Sequence, residues 1–210
     1  MANMIPFKGV LYDPAVVGKI ADVVAPPYDV IDGDFQRALH ARHPNNVIRL
    51  ELGLDEPNDG PSHNRYTRAA ACLRDWLKQG ALHRDREAAV YPYQIEYQPP
   101  SGETGAGPRI LRGFLATVEL AEFGAGHIYP HENTRSAAKA DRLQLMEACR
   151  ANFSPIFSLF SDPDGGALQL IDKSVDVDRP RFDFQDDDGF RQRLWTITDR
   201  RVLQDLAETL

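Results

Sequence analysis

The stretch Ala89-Val90-Tyr91-Pro92-Tyr93-Gln94-Ile95-Glu96-Tyr97-Gln98 decides the fold class, together with its answer after Pro99 to Pro108, Arg109-Ile110-Leu111-Arg112-Gly113-Phe114-Leu115-Ala116-Thr117-Val118. Both runs are rich in aromatic and β-branched residues. The segment between them is rich in proline and glycine, so the pattern predicts two strands joined by a long hairpin loop. Just upstream, residues 65–79 predict an amphipathic helix. Tyr66, Ala69, Ala70, Leu73, Trp76 and Leu77 recur at helical spacing, and Gly80 stops it. Hairpins mixed with helices, rather than a regular strand–helix–strand series, predict an α+β fold: a mixed or antiparallel sheet with flanking helices.

The reading extends to both ends. Phe7 to Tyr12 predicts an opening strand, and Ala15 to Val24 a short helix or turn. Pro26 and Pro27 forbid a helix through the middle of residues 23–31. Asp32 or Asp34 caps a helix reaching Arg42. Asn46 to Leu52 reads as a strand because Val47 and Ile48 are β-branched, and Gly53 to Asn64 as a mobile loop. After the hairpin come a basic helix, a strand at Ile156 to Phe160, turn residues from Ser161 to Gly166 and the end of a short helix at Leu168 to Lys173. Strands at Arg181 to Phe184 and Phe190 to Thr198 follow, then a helix from Asp199. No internal repeat is visible, and residues 1–210 are expected to form a single α+β unit.

The chain has 210 residues, of which 42% are hydrophobic and 26% charged, the balance of a folded soluble protein. Its formal charge of −7 argues against non-specific nucleic-acid binding, which needs a basic surface, but leaves room for a local basic pocket. Cys72 and Cys149 form no CxxC pair or disulfide framework, so a reducing cytoplasm is the expected location. The first eight residues lack the apolar core of a signal peptide. No run approaches the ~20 apolar residues of a spanning helix, so no membrane association is expected.

Chemistry concentrates in Gly126-His127-Ile128-Tyr129-Pro130-His131-Glu132-Asn133-Thr134-Arg135 and in the helix that follows, with Lys139, Asp141, Arg142 and Arg150. Pro130 keeps His127 and His131 off a regular helix, and no third ligand accompanies them, so no metal site is expected. His131 beside Glu132 suits an acid–base pair: imidazole titrates near neutrality and a carboxylate can fix its tautomer. The alternative is a solvated loop. On a helical wheel Lys139, Arg142 and Arg150 share a sector of about 80°, with Asp141 and Glu147 pointing elsewhere and Ala138, Leu145 and Cys149 forming the apolar stripe. Arg135, Lys139 and Arg142 at the helix start oppose its dipole by about 0.3–1 kcal/mol each. A bound phosphate or carboxylate would reverse that penalty. The competing reading is a solvated face whose long side chains cover the core edge.

Other candidates favour structural readings. Gly102 to Gly107 lacks the Lys-Ser/Thr of a phosphate loop, and Asp186-Asp187-Asp188-Gly189 lacks calcium-loop spacing. Trp76 and Trp195 suit the core. Asp29, rigidly presented after the proline pair, could act as ligand or base, with turn capping the favoured alternative.

In order, Pro6-Phe7-Lys8-Gly9, Val24-Ala25-Pro26-Pro27-Tyr28-Asp29-Val30-Ile31, Asn46-Val47-Ile48-Arg49-Leu50-Glu51, Arg112-Gly113-Phe114, Pro130-His131-Glu132-Asn133-Thr134 and Arg150-Ala151-Asn152-Phe153-Ser154-Pro155-Ile156-Phe157 resemble the bacterial and archaeal domain-of-unknown-function family 1015. The resemblance spans almost the whole chain. Asn133 stands where the family often has Arg. The family has no settled activity. Its fuller members carry a second half opening on an Asp-Gly-His-His-Arg motif, similar to one in the ParB and sulfiredoxin superfamily, which includes a nucleotide-dependent free-serine kinase. This sequence has no such motif, so it resembles the family's N-terminal half.

Two functional expectations follow. In the first, the protein binds a phosphorylated or anionic small molecule and is related to a small-molecule phosphotransferase. Asp29, Arg135, Lys139, Arg142 and Arg150 would hold the ligand, and His131 and Glu132 would position or move a proton. The cofactor is open, with ATP or ADP and a divalent cation as candidates. In the second, the chain is a non-catalytic interaction module that pairs with a separate C-terminal half or with itself, or a degenerate remnant.

Overall fold

The computed structural model describes residues 3–99, 107–122, 128–130 and 133–209. In chain order the elements are β1 (Met4–Ile5), β2 (Val10–Tyr12), α1 (Pro14–Val17), α2 (Ile20–Val23), a 3-10 turn (Tyr28–Val30), α3 (Gly33–Arg42), α4 (Ile48–Glu51) and α5 (Arg65–Gln79). Then come β3 (Leu82–Arg84), β4 (Tyr91–Tyr97), β5 (Arg109–Leu115), β6 (Thr117–Val118), α6 (Ser136–Cys149), α7 (Gly166–Ser174), β7 (Phe182–Gln185), β8 (Arg191–Leu194) and α8 (Arg200–Thr209). Every ladder between these strands for which a register is resolved is antiparallel, and the fold is α+β. The contacts group into two units, one of residues 10–83 and 131–156, the other of residues 1–9, 84–130 and 157–210.

The first unit is mainly helical. Its core gathers Val17, Val23, Leu50, Leu73, Trp76, Ala81 and Leu82. α5 spans the predicted residues because both ends are specified. The Asn64 side chain accepts from the Tyr66 and Thr67 amides, Thr67 Oγ1 answers by accepting from the Asn64 amide at 3.0 Å, and Gly80 closes the helix at φ 79°. Asp32 caps α3, accepting from the Phe35 amide at 2.8 Å. The loop from Gly53 to Asn64 is pinned from α5, where Arg68 donates to Leu54 O at 2.7 Å and holds both oxygens of Asp59.

Two expected strands do not form. Asn46 to Leu52 is not a strand: it holds the one-turn helix α4. The cause is Asn46, whose side chain is fully buried, donates to Asp22 O and Val24 O, and accepts from the Ile48 amide at 3.0 Å. That anchor bends the backbone into a turn, which the Glu51 amide continues by donating to Val47 O at 2.9 Å. Tertiary bonding overrides the β-branched pair. Residues 156–160 form no strand either. No described strand pairs with them, and an extended segment without a ladder partner has no sheet to join.

The second unit is built on the antiparallel sheet β5-β4-β8-β7. Tyr93 lies opposite Gly113 on one side and Leu194 on the other. Met4, Val90, Ala167, Ile171, Ile197, Leu203 and Leu206 form its core, with α7 and α8 contributing. The Asp199 side chain caps α8, accepting from the Arg201 amide at 2.9 Å. Gly9 has to be glycine: a Cβ there would meet the Tyr91 phenol oxygen at 2.7 Å, the same oxygen that accepts from the Gly9 amide. That hydroxyl donates to Asp85, which a bidentate Arg181 holds. Arg112 pairs with Asp172 of α7, and Phe114 packs on the core, so two side chains of the Arg112-Gly113-Phe114 motif have structural work.

Candidate functional site

Alanines and unbranched side chains make residues 136–149 helical, and the pattern of burial shows which face turns inward. Leu145 is buried, and Ala138, Asp141, Arg142, Ala148 and Cys149 are half-buried. The inward stripe therefore includes two charges. Asp141 does not point away from Arg142: its carboxylate accepts from Arg142 Nε at 3.0 Å. The expectation that these residues face apart is corrected here, because adjacent side chains on one helix can converge when both reach for partners on other elements.

The partners are specific. Arg142 donates to the Glu51 carboxylate and, at 2.9 Å, to the Glu51 backbone carbonyl. Its guanidinium lies 4.3 Å from the centre of the Tyr28 ring. Ser154 donates to the same Glu51 oxygen that Arg142 reaches. Asp141 also pairs with Arg65 and accepts from the Tyr66 hydroxyl at 2.7 Å. Burial works to raise the Asp141 pKa, and the bonds from Tyr66 and Arg142 outweigh it, so its carboxyl sits below the usual value. Glu51 is 7% exposed, and its Oε2 has no hydrogen-bond partner among the described residues.

Two carboxylates thus face two guanidiniums, and Arg142 is internally satisfied. Glu51, Ser154, Tyr28, Arg65 and Tyr66 escaped the sequence reading. Glu51 and Ser154 lie inside two of the stretches that carry the family resemblance and Tyr28 inside a third, which was the available signal. Three motifs distant in sequence converge on the Glu51–Arg142 pair: Glu51 and Ser154 through the carboxylate, Tyr28 through the guanidinium.

The other expected ligands separate. Arg135 is the extended residue before α6. Among the described residues no side chain caps the helix, and its first turn holds no acidic residue. Arg135 and Lys139 are exposed, about one turn apart, beside amides that have no partner within the helix. Arg150 ends the helix in the left-handed region at φ 51° and is exposed. At 1.5 Å per residue it stands about 22 Å from Arg135, too far to share a phosphate. Asp29 is exposed in the 3-10 turn next to Tyr28. His131 and Glu132, like His127, lie outside the described residues.

Elsewhere, Glu56, Asp59 and His63 each bring one potential ligand atom within 4.8 Å of the others. Arg68 already supplies positive charge there, and its hydrogen bonds push the Asp59 carboxyl down to about 2. Asp186 accepts from the Asp188 and Phe190 amides, a turn-capping role. Trp76 and Trp195 are core residues. No helix among the described residues is long and apolar enough to cross a membrane.

No curated protein and no solved structure matches the chain. One family model does match, described as protein of unknown function (DUF1015), and it covers residues 4–210. With nearly its whole length matched, the chain belongs to the DUF1015 family.

Proposed function

We propose that this protein binds a small phosphorylated or otherwise anionic molecule at the start of α6. One observation carries the reading. Among the described residues the helix opens with no side-chain cap and no acid in its first turn, while Arg135 and Lys139 stand exposed beside it. Helix-start amides and two exposed cations together favour phosphate. Arg142, held by Glu51 and Asp141, acts as a frame that fixes α6 rather than as a ligand. His131 and Glu132, just upstream in sequence, are the candidates for positioning or moving a proton. The relation to a small-molecule phosphotransferase rests on the family resemblance alone. ATP or ADP with a divalent cation are the first ligands to try. A cytoplasmic location fits two cysteines that are both free.

Thermal shift with ATP, ADP and inorganic phosphate tests this. At least one should raise the melting temperature of the wild type, and Arg135→Ala with Lys139→Ala should abolish the shift. No shift with any of the three defeats the reading.

A second reading, an interaction module, is favoured by a different observation. Ile156, Phe157 and Leu159 are 86%, 65% and 88% exposed. Bare apolar side chains of this size so close in sequence mark a surface that a partner covers. A separate polypeptide half or a second copy of the chain would serve. Light scattering that finds a monomer unaltered by Phe157→Ser and Leu159→Ser would remove the second-copy version.

A further inference from the structure

α5 and α6 pack on each other, and the start of α5 is pinned to the middle of α6. Arg65, the first residue of α5, pairs with Asp141 of α6, and Tyr66 donates to the same carboxylate. From that pin, Cys72 stands seven residues further along α5 and Cys149 eight residues further along α6. These advances are about 10.5 and 12 Å. Helices running the same way bring the two side chains to one level; helices running oppositely would leave them about 22 Å apart. Cys149 also lies on the inward stripe of Arg142 and Leu145. Both cysteines are half-buried against the one cluster of Leu73, Trp76 and Leu82. Charge on Cys72 also bears on the ionisation of Cys149, which requires proximity.

We propose that Cys72 and Cys149 form an oxidisable dithiol that closes into an intramolecular disulfide, tying α5 to the last turn of α6. With a small disulfide such as oxidised glutathione as oxidant, one protein thiolate attacks an oxidant sulfur and expels a glutathione thiolate. The second protein thiolate then attacks the mixed disulfide and expels the other glutathione. The two protein thiols lose two protons and two electrons, and the oxidant's S–S bond takes up the electrons. Burial and the neighbouring Cys72 push Cys149 up to about 11, and burial raises Cys72 as well. Arg49 and Asp75 also act on Cys72, and Arg74 on Cys149. Thiolate is therefore scarce at neutral pH, and the pair is oxidised slowly there.

The test is to incubate the 210-residue chain with oxidised glutathione at pH 7, 8 and 9, quench with an alkylating reagent, and read intact mass. The wild type should pass from two alkylatable thiols to none, as a monomer lighter by two hydrogens. A Cys72–Cys149 crosslinked peptide should appear on digestion, and dithiothreitol should reverse the change. The rate should rise roughly tenfold per pH unit with the thiolate fraction. Cys72→Ser and Cys149→Ser should each stop at a single glutathione adduct. Two persistent free thiols, two stable adducts on the wild type, or a bridge between chains would each overturn the proposal. The wild-type measurement stands even if a serine variant fails to fold.

Discussion

Arg142 holds Glu51 twice, through the carboxylate and through the backbone carbonyl oxygen 2.9 Å away. The second bond fixes the last residue of α4 as well as its side chain. α4 and α6 are thereby joined by one guanidinium. Glu51 is 7% exposed and the Arg142 side chain 19%, so neither charge can be resolvated cheaply.

Removing one partner should therefore be severe. Arg142→Ala should destabilise the protein by about 3–5 kcal/mol, the range for breaking a buried ion pair from one side. Glu51→Gln should lose less, because the amide oxygen still accepts from Ser154 and Arg142. Urea unfolding of the two variants checks the order. Near-equal small losses would show that the network contributes little.

The same network predicts acid sensitivity. Asp141 has a folded pKa below its unfolded value, so its contribution is complete above the unfolded carboxylate value of about 3.9 and fades as pH falls through the folded one. Asp59 titrates in the same direction, at about 2. Stability at fixed urea should fall steadily below pH 4. Asp141→Asn should flatten that fall while lowering the plateau at pH 7, and an unchanged acid limb would contradict the assignment.

Two glycines should behave oppositely. Gly9→Ala drives a methyl into the Tyr91 phenol, 2.7 Å from its hydroxyl oxygen and 2.8 Å from the ring carbon that bears it, and should cost about 1–3 kcal/mol. Gly113 has nothing within 4 Å of an added Cβ, so Gly113→Ala should be neutral or stabilising by up to about 1 kcal/mol. Melting temperatures of the pair settle it.

Asn46→Ala should cost about 2–4 kcal/mol, since three hydrogen bonds vanish and two carbonyl groups lose their donor in the interior. The loss should show as faster exchange of the amides of α4.

How much of this was legible in the sequence depended on where the deciding partner lay. α5 was readable from Arg65 to Gln79 because its apolar period and its stop at Gly80 are local, as was the hairpin of β4 and β5. α4 was misread because Asn46 is anchored by carbonyls of residues 22 and 24, which no local rule sees. α6 was found as a helix, but its faces were misassigned. Asp141 and Arg142 occupy positions that periodicity gives to apolar residues, and their partners Glu51, Arg65 and Tyr66 are remote in sequence. A charge on a helix reads as solvated until its counter-charge is located. That is why Arg142 was counted with Arg135 and Lys139, from which its environment now separates it.

The most direct test of the account is calorimetric titration of ADP, ATP and inorganic phosphate into the wild type, Arg150→Ala, and the Arg135→Ala/Lys139→Ala double variant. The account predicts saturable binding of at least one of these anions, unchanged in Arg150→Ala and weakened at least roughly tenfold in the double variant, as expected for losing charge-assisted phosphate contacts. Absent binding, or equal affinity in the double variant, would contradict it.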